Sequence, residues 1–182
     1  MTNYRLLTVI GSLAYVAVGV SSPLLTLFLE SLGASYIQIS LVLTSFVITL
    51  LGCNYLWGRL SDRLGRRKPF VVTGLLGLAL VYAWLGYAPT LAAAWATRLL
   101  EGVALAAYTT LSLAMMGEAL ERSASQRQGR QMGLYRGLGS LAFAAGSVAG
   151  GRVAETYGLA DSFLICAAAY LLAALVALQL QE

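Results

Sequence analysis

Six apolar runs, each long enough to cross a membrane as an α-helix, decide what this chain can fold into. A membrane-spanning helix needs about 20 mostly apolar residues, and six stretches of the sequence have about this length and character. We therefore predict an all-α membrane protein with six transmembrane helices. The predicted spans are residues 6–29, 37–57, 70–87, 91–116, 132–154 and 162–180. The first run is too long for a signal peptide, whose apolar core has about 7–15 residues.

The composition excludes a water-soluble protein. Apolar residues make up 59% of the chain and charged residues 11%, against about 45–50% and about 25% in soluble domains. These values exclude a soluble enzyme, a disordered chain and a nucleic-acid-binding module. The chain has no histidine, which excludes a histidine-dependent catalytic triad and a histidine-ligated metal. We expect no catalytic residue, no metal and no bound cofactor.

Basic residues are concentrated in alternate loops. Most of them follow the second and fourth runs, whereas the loop after the fifth run carries Arg152 together with Glu155 and Asp161. Basic loops stay in the cytoplasm, so we predict that both termini are cytoplasmic and that the protein is a multi-pass protein of the plasma (inner) membrane. The basic residues of the two loops are Arg59, Arg63, Arg66, Arg67, Lys68, Arg122, Arg127 and Arg130.

The sequence resembles itself at an offset of 93 residues. The block Gly58–Gly65 then falls on Gly151–Gly158, and Arg5 falls on Arg98. Each unit holds three spans, so the second unit is inverted relative to the first. Inverted three-helix repeats, at about 1–89 and 90–182, are a device of secondary transporters. Chance similarity between two halves rich in leucine, alanine and glycine is the alternative.

The loop predicted between the second and third spans carries the most specific motif. Its sequence is Gly-Arg-Leu-Ser-Asp-Arg-Leu-Gly-Arg-Arg, over residues 58–67. Gly58 permits close helix approach, and Gly65 permits a tight turn with positive φ. Asp62 is an acceptor that an arginine or a helix N-terminus could meet. The basic residues that end the motif are expected to meet anionic lipid.

This motif resembles the loop 2–3 signature of the major facilitator superfamily, with Ser61 in place of alanine as its only departure. The resemblance implies a transporter that works by alternating access. It also implies that this loop gates the cytoplasmic side of the molecule. The gating residues are Gly58, Asp62, Arg63, Gly65, Arg66 and Arg67.

The fourth span contains two charged residues, Arg98 and Glu101, one helical turn apart. A charge at this depth costs about 2.5–3.5 kcal/mol, so it needs a partner. With Gly102, the pair is similar to the Arg-x-x-x-Gly signature of proton-coupled members of the superfamily, which often have glutamine where this chain has Glu101. Two interpretations stay open: Glu101 carries a proton, or the pair is a permanent structural ion pair.

The fifth span is rich in glycine, which lets membrane helices pack closely. Gly146, Gly150 and Gly151 are predicted packing residues. The segment is similar to an antiporter element of the superfamily, but Ser147 stands where that element has proline. Simple helix packing explains the glycines almost as well.

The resemblance also places the first and fourth helices around a substrate cavity. Tyr15, Gly19, Ser22 and Thr26 form the polar face of the first helix, and Pro23 is expected to kink it. Arg136 either faces the cavity or extends to the cytoplasmic edge of the bilayer. The predicted cavity residues are Tyr15, Ser22, Thr26, Asn54, Tyr108 and Arg136.

The chain matches the N-terminal six-helix half of the family, and the C-terminal half is absent from it. We expect the second half on a longer chain, on a separate chain, or in a homodimer. Without one, Arg98 and Glu101 would face lipid. The favoured function is proton-coupled export of a small molecule, with the proton gradient as the energy source. The alternatives are an importer half for a sugar or organic acid, and a non-transporting membrane subunit. The expected partners are the lipid bilayer, the substrate and the second half, with no nucleic acid.

Overall fold

A computed structural model describes residues 3–122 and 128–181. The described chain folds into six long α-helices. They are α1 (Asn3–Ser31), α2 (Tyr36–Leu64), α3 (Lys68–Leu85), α4 (Leu91–Arg122), α5 (Gln128–Tyr157) and α6 (Leu159–Ala177). Every predicted span lies largely within one of these helices, which extend past several of the apolar runs. Arg127, one of the basic residues of the loop after the fourth span, lies outside the described residues.

Five helices of the described chain, all except α5, are long and apolar enough to cross a membrane. Glycines, arginines and glutamines dilute the apolar residues of α5. Its 30 residues are nevertheless sufficient to span a bilayer at 1.5 Å per residue. The fifth predicted span, residues 132–154, therefore remains a prediction.

The turn between α2 and α3 is shorter than the sequence motif indicates. Gly65 ends α2 in the left-handed conformation, with φ of 62°, and its N–H donates to the carbonyl of Ser61. Lys68 begins α3, and Pro69 stands in its first turn, where a missing N–H costs little. The expectation that the whole motif, residues 58–67, lies in a loop was wrong, because residues 58–64 form the last two turns of α2. Only residues 65–67 connect the helices.

The helices pack in a defined set of pairs. α1 lies between α5 and α6, α4 lies between α2 and α3, and α3 packs on α6. Exchanging α1, α2 and α3 with α4, α5 and α6 leaves these five pairs unchanged, whereas the smaller contact of α5 with α6 has no counterpart of similar extent between α2 and α3. Gly158, which the 93-residue offset aligns with Gly65, also has a positive φ, 105°, and follows α5 as Gly65 follows α2.

Glycines bring α1 and α5 into backbone contact. A Cβ atom at Gly19 would collide with the carbonyl oxygen of Phe143, and one at Gly146 would collide with that of Val16. A Cβ at Gly150 would lie 2.9 Å from a methyl group of Val20. Side chains at these positions would force the two helices apart. A Cβ at Gly151 would meet no atom of the described residues within 4 Å, so packing within this unit does not require a glycine there.

Pro23 of α1 and Ser147 of α5 are linked through Gly19. Proline has no N–H, so Pro23 cannot bond to the carbonyl of Gly19 one turn earlier. The Ser147 hydroxyl donates to that carbonyl at 2.9 Å. The serine that departs from the antiporter element thus supplies the hydrogen bond that the proline removes from α1.

Candidate functional site

Arg98 and Glu101 form an ion pair inside the helical bundle. They lie three residues apart on α4, with Nη1 of Arg98 against Oε2 of Glu101. Only 6% of Arg98 and 4% of Glu101 are exposed. The α4 backbone brings both side chains to one face, as their spacing predicts.

Side chains from three other helices surround the pair. The Tyr82 hydroxyl of α3 donates to Oε1 of Glu101 at 2.7 Å, and its oxygen lies 3.1 Å from Oγ of Ser21 on α1. The guanidinium carbon of Arg98 lies 4.1 Å from the centre of the Phe46 ring of α2. A cation above an aromatic face gains electrostatic stabilisation. With Tyr82 on Oε1 and Arg98 on Oε2, both carboxylate oxygens of Glu101 accept a hydrogen bond.

Tyr82 itself is held by aromatic packing. Its ring stacks on Tyr170 of α6, with centroids 5.5 Å apart, and also contacts Phe163. Phe163 meets Phe28 of α1 edge-on at 5.4 Å. Packing of this kind fixes the direction in which the Tyr82 hydroxyl points.

The sequence alone did not identify Tyr82, Ser21 or Phe46 as neighbours of the pair. They lie on three different helices, and spacing along a sequence does not say which helices meet. The one available signal was the cost of a charge at depth, which required polar partners. The Nε atom of Arg98 is buried and has no hydrogen-bond partner among the described residues.

The expectation that Arg98 and Glu101 would face lipid without a second half was wrong. Their burial comes from α1, α2 and α3 of the same six-helix unit. Both carboxylate oxygens of Glu101 accept a hydrogen bond in this ion pair, whereas loss of either partner would leave an uncompensated buried charge. A proton on Glu101 would have that effect on Arg98.

The predicted cavity residues do not share one environment. Tyr15, Ser22, Thr26 and Arg136 are exposed on the surface of the described structure, whereas Tyr108 is buried. Gly19, predicted on the same face of α1, lies instead beneath α5. Tyr15 covers Gly139 of α5, where a Cβ would lie 2.7 Å from its ring.

Polar contacts join α2 to α4. The half-buried Asn54, a predicted cavity residue, accepts a hydrogen bond from Thr110 at 2.8 Å.

Two tryptophans also connect these helices. The indole N–H of Trp57 donates to the carbonyl of Val103 at 3.0 Å, and that of Trp95 donates to Ser45 at 2.7 Å. Gly102 lies in the same contact, where a Cβ would meet the carbonyl of Phe46 at 3.1 Å. The tryptophans were not anticipated from the sequence.

The predicted gating residues lie at one end of the bundle. Asn54, Gly58 and Asp62 help to line an open groove along the end of α2, of about 530 Å³. A Cβ at Gly58 would meet only a Thr110 methyl group, at 3.9 Å, so the expected close helix approach does not occur there. The remaining lining residues are Tyr55, Arg59 and Arg63.

Asp62 and Arg67 have different surroundings at this end. The Asp62 side chain is exposed and makes no hydrogen bond or ion pair within the described part of the chain. Arg67 forms an ion pair with Glu118 of α4 at 2.6 Å. That pair ties the α2–α3 turn to α4. The expected arginine or helix partner for Asp62 is thus not supplied by the described residues of these six helices.

Nearly the whole chain matches one protein family. The model of the Major Facilitator Superfamily matches residues 7–181. The chain belongs to the major facilitator superfamily. The resemblance that the Gly58–Arg67 motif indicated is therefore confirmed, and with it an integral, multi-pass membrane protein.

Three curated relatives share parts of the sequence. An uncharacterised transporter of the major facilitator type from Methanocaldococcus jannaschii is 26% identical over 87% of this chain and 40% of its own length. A puromycin resistance protein from Streptomyces alboniger is 31% identical over 69% of this chain and 24% of its own length. A major facilitator multidrug transporter from Aspergillus fumigatus is 38% identical over 35% of this chain and 10% of its own length. The chain thus spans less than half the length of the relatives it matches.

Proposed function

We propose that this chain is the N-terminal six-helix half of a transporter that exports small molecules in exchange for protons. The observation that carries the proposal is the buried Glu101, whose carboxylate is held by Arg98 and Tyr82. An acid buried within a transporter of this family is a candidate proton carrier. The names of the resistance and multidrug relatives support export.

Burial of the ion pair gives the coupling its physical basis. Protonation of Glu101 removes its negative charge and leaves the Arg98 guanidinium buried without a counter-charge. That state costs several kcal/mol unless the helices rearrange. A conformational change that exposes Arg98 to water or to a negatively polarised group of the substrate relieves this cost. Proton binding and helix movement are linked in this way.

Alternating access requires a second half. The exchange of α1–α3 with α4–α6, which leaves the five most extensive helix pairs unchanged, supports an inverted repeat. Transporters with such repeats place the substrate between the repeat units near the bilayer midplane. The side chains of this half that can line such a cavity are exposed. They are Tyr15, Ser22, Thr26 and Arg136. The second half closes the opposite wall, from the same chain, a separate chain or a second copy.

The end of the bundle with the α2–α3 turn is proposed to be the cytoplasmic gate. Asp62 is exposed beside the groove on α2 and has no partner among the described residues of this half. A helix of the second half can supply its donors. Both termini then lie in the cytoplasm, as the basic residues of this end predict. The membrane is the plasma membrane.

Transport into inside-out membrane vesicles tests the proposal. In such vesicles an exporter accumulates its substrate, and puromycin is the first probe because a relative is named for resistance to it. We expect accumulation when the vesicle interior is acidified, and loss of it when an ionophore collapses the pH gradient. Accumulation that survives the ionophore would contradict proton coupling. Uptake only down the substrate gradient would favour a facilitator. With the second half present, no flux for any of a panel of drugs, sugars and organic acids would favour a non-transporting subunit.

Two glutamates on α4 provide a matched pair of variants. Glu101→Gln removes the buried carboxylate, whereas Glu121→Gln removes an exposed carboxylate further along the same helix. We expect the first variant to lose proton-driven accumulation and the second to retain it. Equal effects of the two changes would contradict a specific role for Glu101.

A further inference from the structure

We propose that Glu101, Tyr82 and Ser21 form a hydrogen-bond chain whose direction reverses when Glu101 takes up a proton. In this chain Tyr82 is a positioning residue for that proton. The inference rests on the proposed function, in which Glu101 is the proton carrier. The distances that carry it are 2.7 Å from Tyr82 to Glu101 and 3.1 Å from Tyr82 to Ser21. The three side chains come from α4, α3 and α1 respectively.

The ionised carboxylate dictates one direction of the chain. A carboxylate only accepts hydrogen bonds, so the Tyr82 hydroxyl must donate its single proton to Glu101. Tyr82 then has no proton left for Ser21 and must accept one instead. The hydrogen bonds run from Ser21 to Tyr82 to Glu101.

Protonation dictates the opposite direction. Arg98 has donors only and holds Oε2 of Glu101, so the added proton is placed on Oε1, which faces Tyr82. Tyr82 then accepts from Glu101 and donates to Ser21. The Ser21 hydroxyl, 3.3 Å from the carbonyl oxygen of Val18, donates to that carbonyl. One proton is added to Glu101, and each hydroxyl keeps its own proton and only rotates.

The hydrogen-bond chain ends on α1 at the Val18 carbonyl, next to the contact of α1 with α5. Val18 directly precedes Gly19, whose carbonyl is bound by Ser147 of α5 and whose backbone contacts α5. Protonation of an acid on α4 therefore changes the hydrogen bonding of α1 beside its contact with α5. Protonation of Glu101 thereby affects the contact between α1 and α5 through the rotation of two hydroxyl groups, without a large displacement of any side chain.

The groups around Glu101 permit this assignment. From its own helix it faces Arg98, and from α3 it faces Tyr82. From α6, Cys166 and Tyr170 are near enough to interact with it electrostatically. The Cys166 thiol is already directed at the carbonyl of Ala17, at 3.4 Å. The groups nearest the pair from α1 and α2, Ser21 and Phe46, do not ionise.

Infrared difference spectra of the protein in lipid nanodiscs, recorded between high and low pH, test the chain. A protonated glutamate gives a carboxylic C=O band, and a tyrosine C–O band changes when its hydroxyl switches from donor to acceptor. We expect the wild-type protein to show a tyrosine band and a Glu101 C=O band, and Glu101→Gln to lose both while keeping the C=O bands of the exposed carboxylates. Tyr82→Phe keeps the ring that packs on Tyr170 but removes the hydroxyl. It should lose the tyrosine band and shift the frequency of the Glu101 band.

Tyr170→Phe is the matched control, since Tyr82 and Tyr170 are both 1% exposed and stack on each other. It should retain both bands at their wild-type frequencies. Ser21→Ala is a second probe of the chain and should shift the tyrosine band, because Tyr82 loses its neighbour on α1. It also serves if Tyr82→Phe does not fold.

The outcomes separate the inference from the proposed function. Absence of a Glu101 band in the wild-type protein across the pH range would contradict Glu101 as the proton carrier. A Glu101 band without an accompanying Tyr82 band would overturn the hydrogen-bond chain alone. A tyrosine band that persists in Tyr82→Phe, or that is unaffected by Ser21→Ala, would overturn it as well.

Discussion

Glu101 is held by two donors from different helices, the Arg98 guanidinium of α4 and the Tyr82 hydroxyl of α3. This arrangement serves both interpretations of the pair. As a structural element, Glu101 connects α4 to α3 through its hydrogen bond with Tyr82. As a proton site, it has a carboxylate whose protonation leaves Arg98 without a counter-charge. The two roles are compatible, because a site that loses stability on protonation is a site that can drive a rearrangement.

Removing one partner of the pair should cost far more than removing both. We expect Arg98→Met to lower the free energy of unfolding in detergent by about 3–5 kcal/mol, because Glu101 is left as a buried unpaired charge. Adding Glu101→Gln should recover a large part of that loss. The partly exposed Arg67–Glu118 pair is the control, and its disruption should cost about 0–1 kcal/mol. Strictly additive effects of Arg98→Met and Glu101→Gln would contradict the coupling.

At the scale of the helices, the apolar runs predicted the existence and order of all six elements. The motif at residues 58–67 was misassigned to a loop because its polar residues continue α2 beyond the apolar run. Gly65 was correctly predicted to adopt a positive φ, since only its local turn geometry was needed. The neighbours of the ion pair on other helices, Tyr82, Ser21 and Phe46, were not predictable, because they depend on how α1, α2 and α3 meet α4. From the sequence, Ser147 is only a departure from the antiporter element, which has proline there. The structure shows that its hydroxyl donates a hydrogen bond to the carbonyl of Gly19.

The link between Pro23 and Ser147 predicts a dependence of one substitution on the other. Ser147→Ala should lower the free energy of unfolding by about 0.6 kcal/mol, and by at most about 1.7 kcal/mol, because the carbonyl of Gly19 loses its donor. In a Pro23→Ala background the N–H of residue 23 satisfies that carbonyl. The cost of Ser147→Ala should then fall to near zero. An unchanged cost in the two backgrounds would show that the hydroxyl does not replace the missing N–H.

At the scale of the whole molecule, two sets of helices related by exchange share one core. α3 and α6 pack together, whereas α1 with α5 and α4 with α2 form the two matching pairs. The apolar character of α5 is the weakest among the six helices, because glycines, arginines and glutamines occupy many of its positions. Its crossing of the membrane is needed if the two sets are inverted relative to each other.

Labelling of introduced cysteines with a membrane-impermeant maleimide tests this crossing. In a background with Cys53 and Cys166 replaced by alanine, we expect Thr90→Cys and Asp161→Cys to react in intact cells. Arg66→Cys and Gln128→Cys should react only after the cells are permeabilised. All four positions are exposed on the described structure. Labelling of Asp161→Cys on the same side as Gln128→Cys would mean that α5 does not cross, and the inverted repeat would be wrong.

Two transport measurements together test whether a proton on Glu101 drives transport. One is the exchange of substrate across the membrane, and the other is the net accumulation of substrate under a pH gradient. In proteoliposomes, exchange of labelled for unlabelled substrate needs the conformational change but no net proton movement. If Glu101 carries the coupling proton, Glu101→Gln retains exchange, which shows a folded transporter, and loses accumulation driven by a pH gradient. A Glu101→Gln protein that accumulates substrate to the wild-type level under the same gradient would show that the coupling proton does not bind at Glu101.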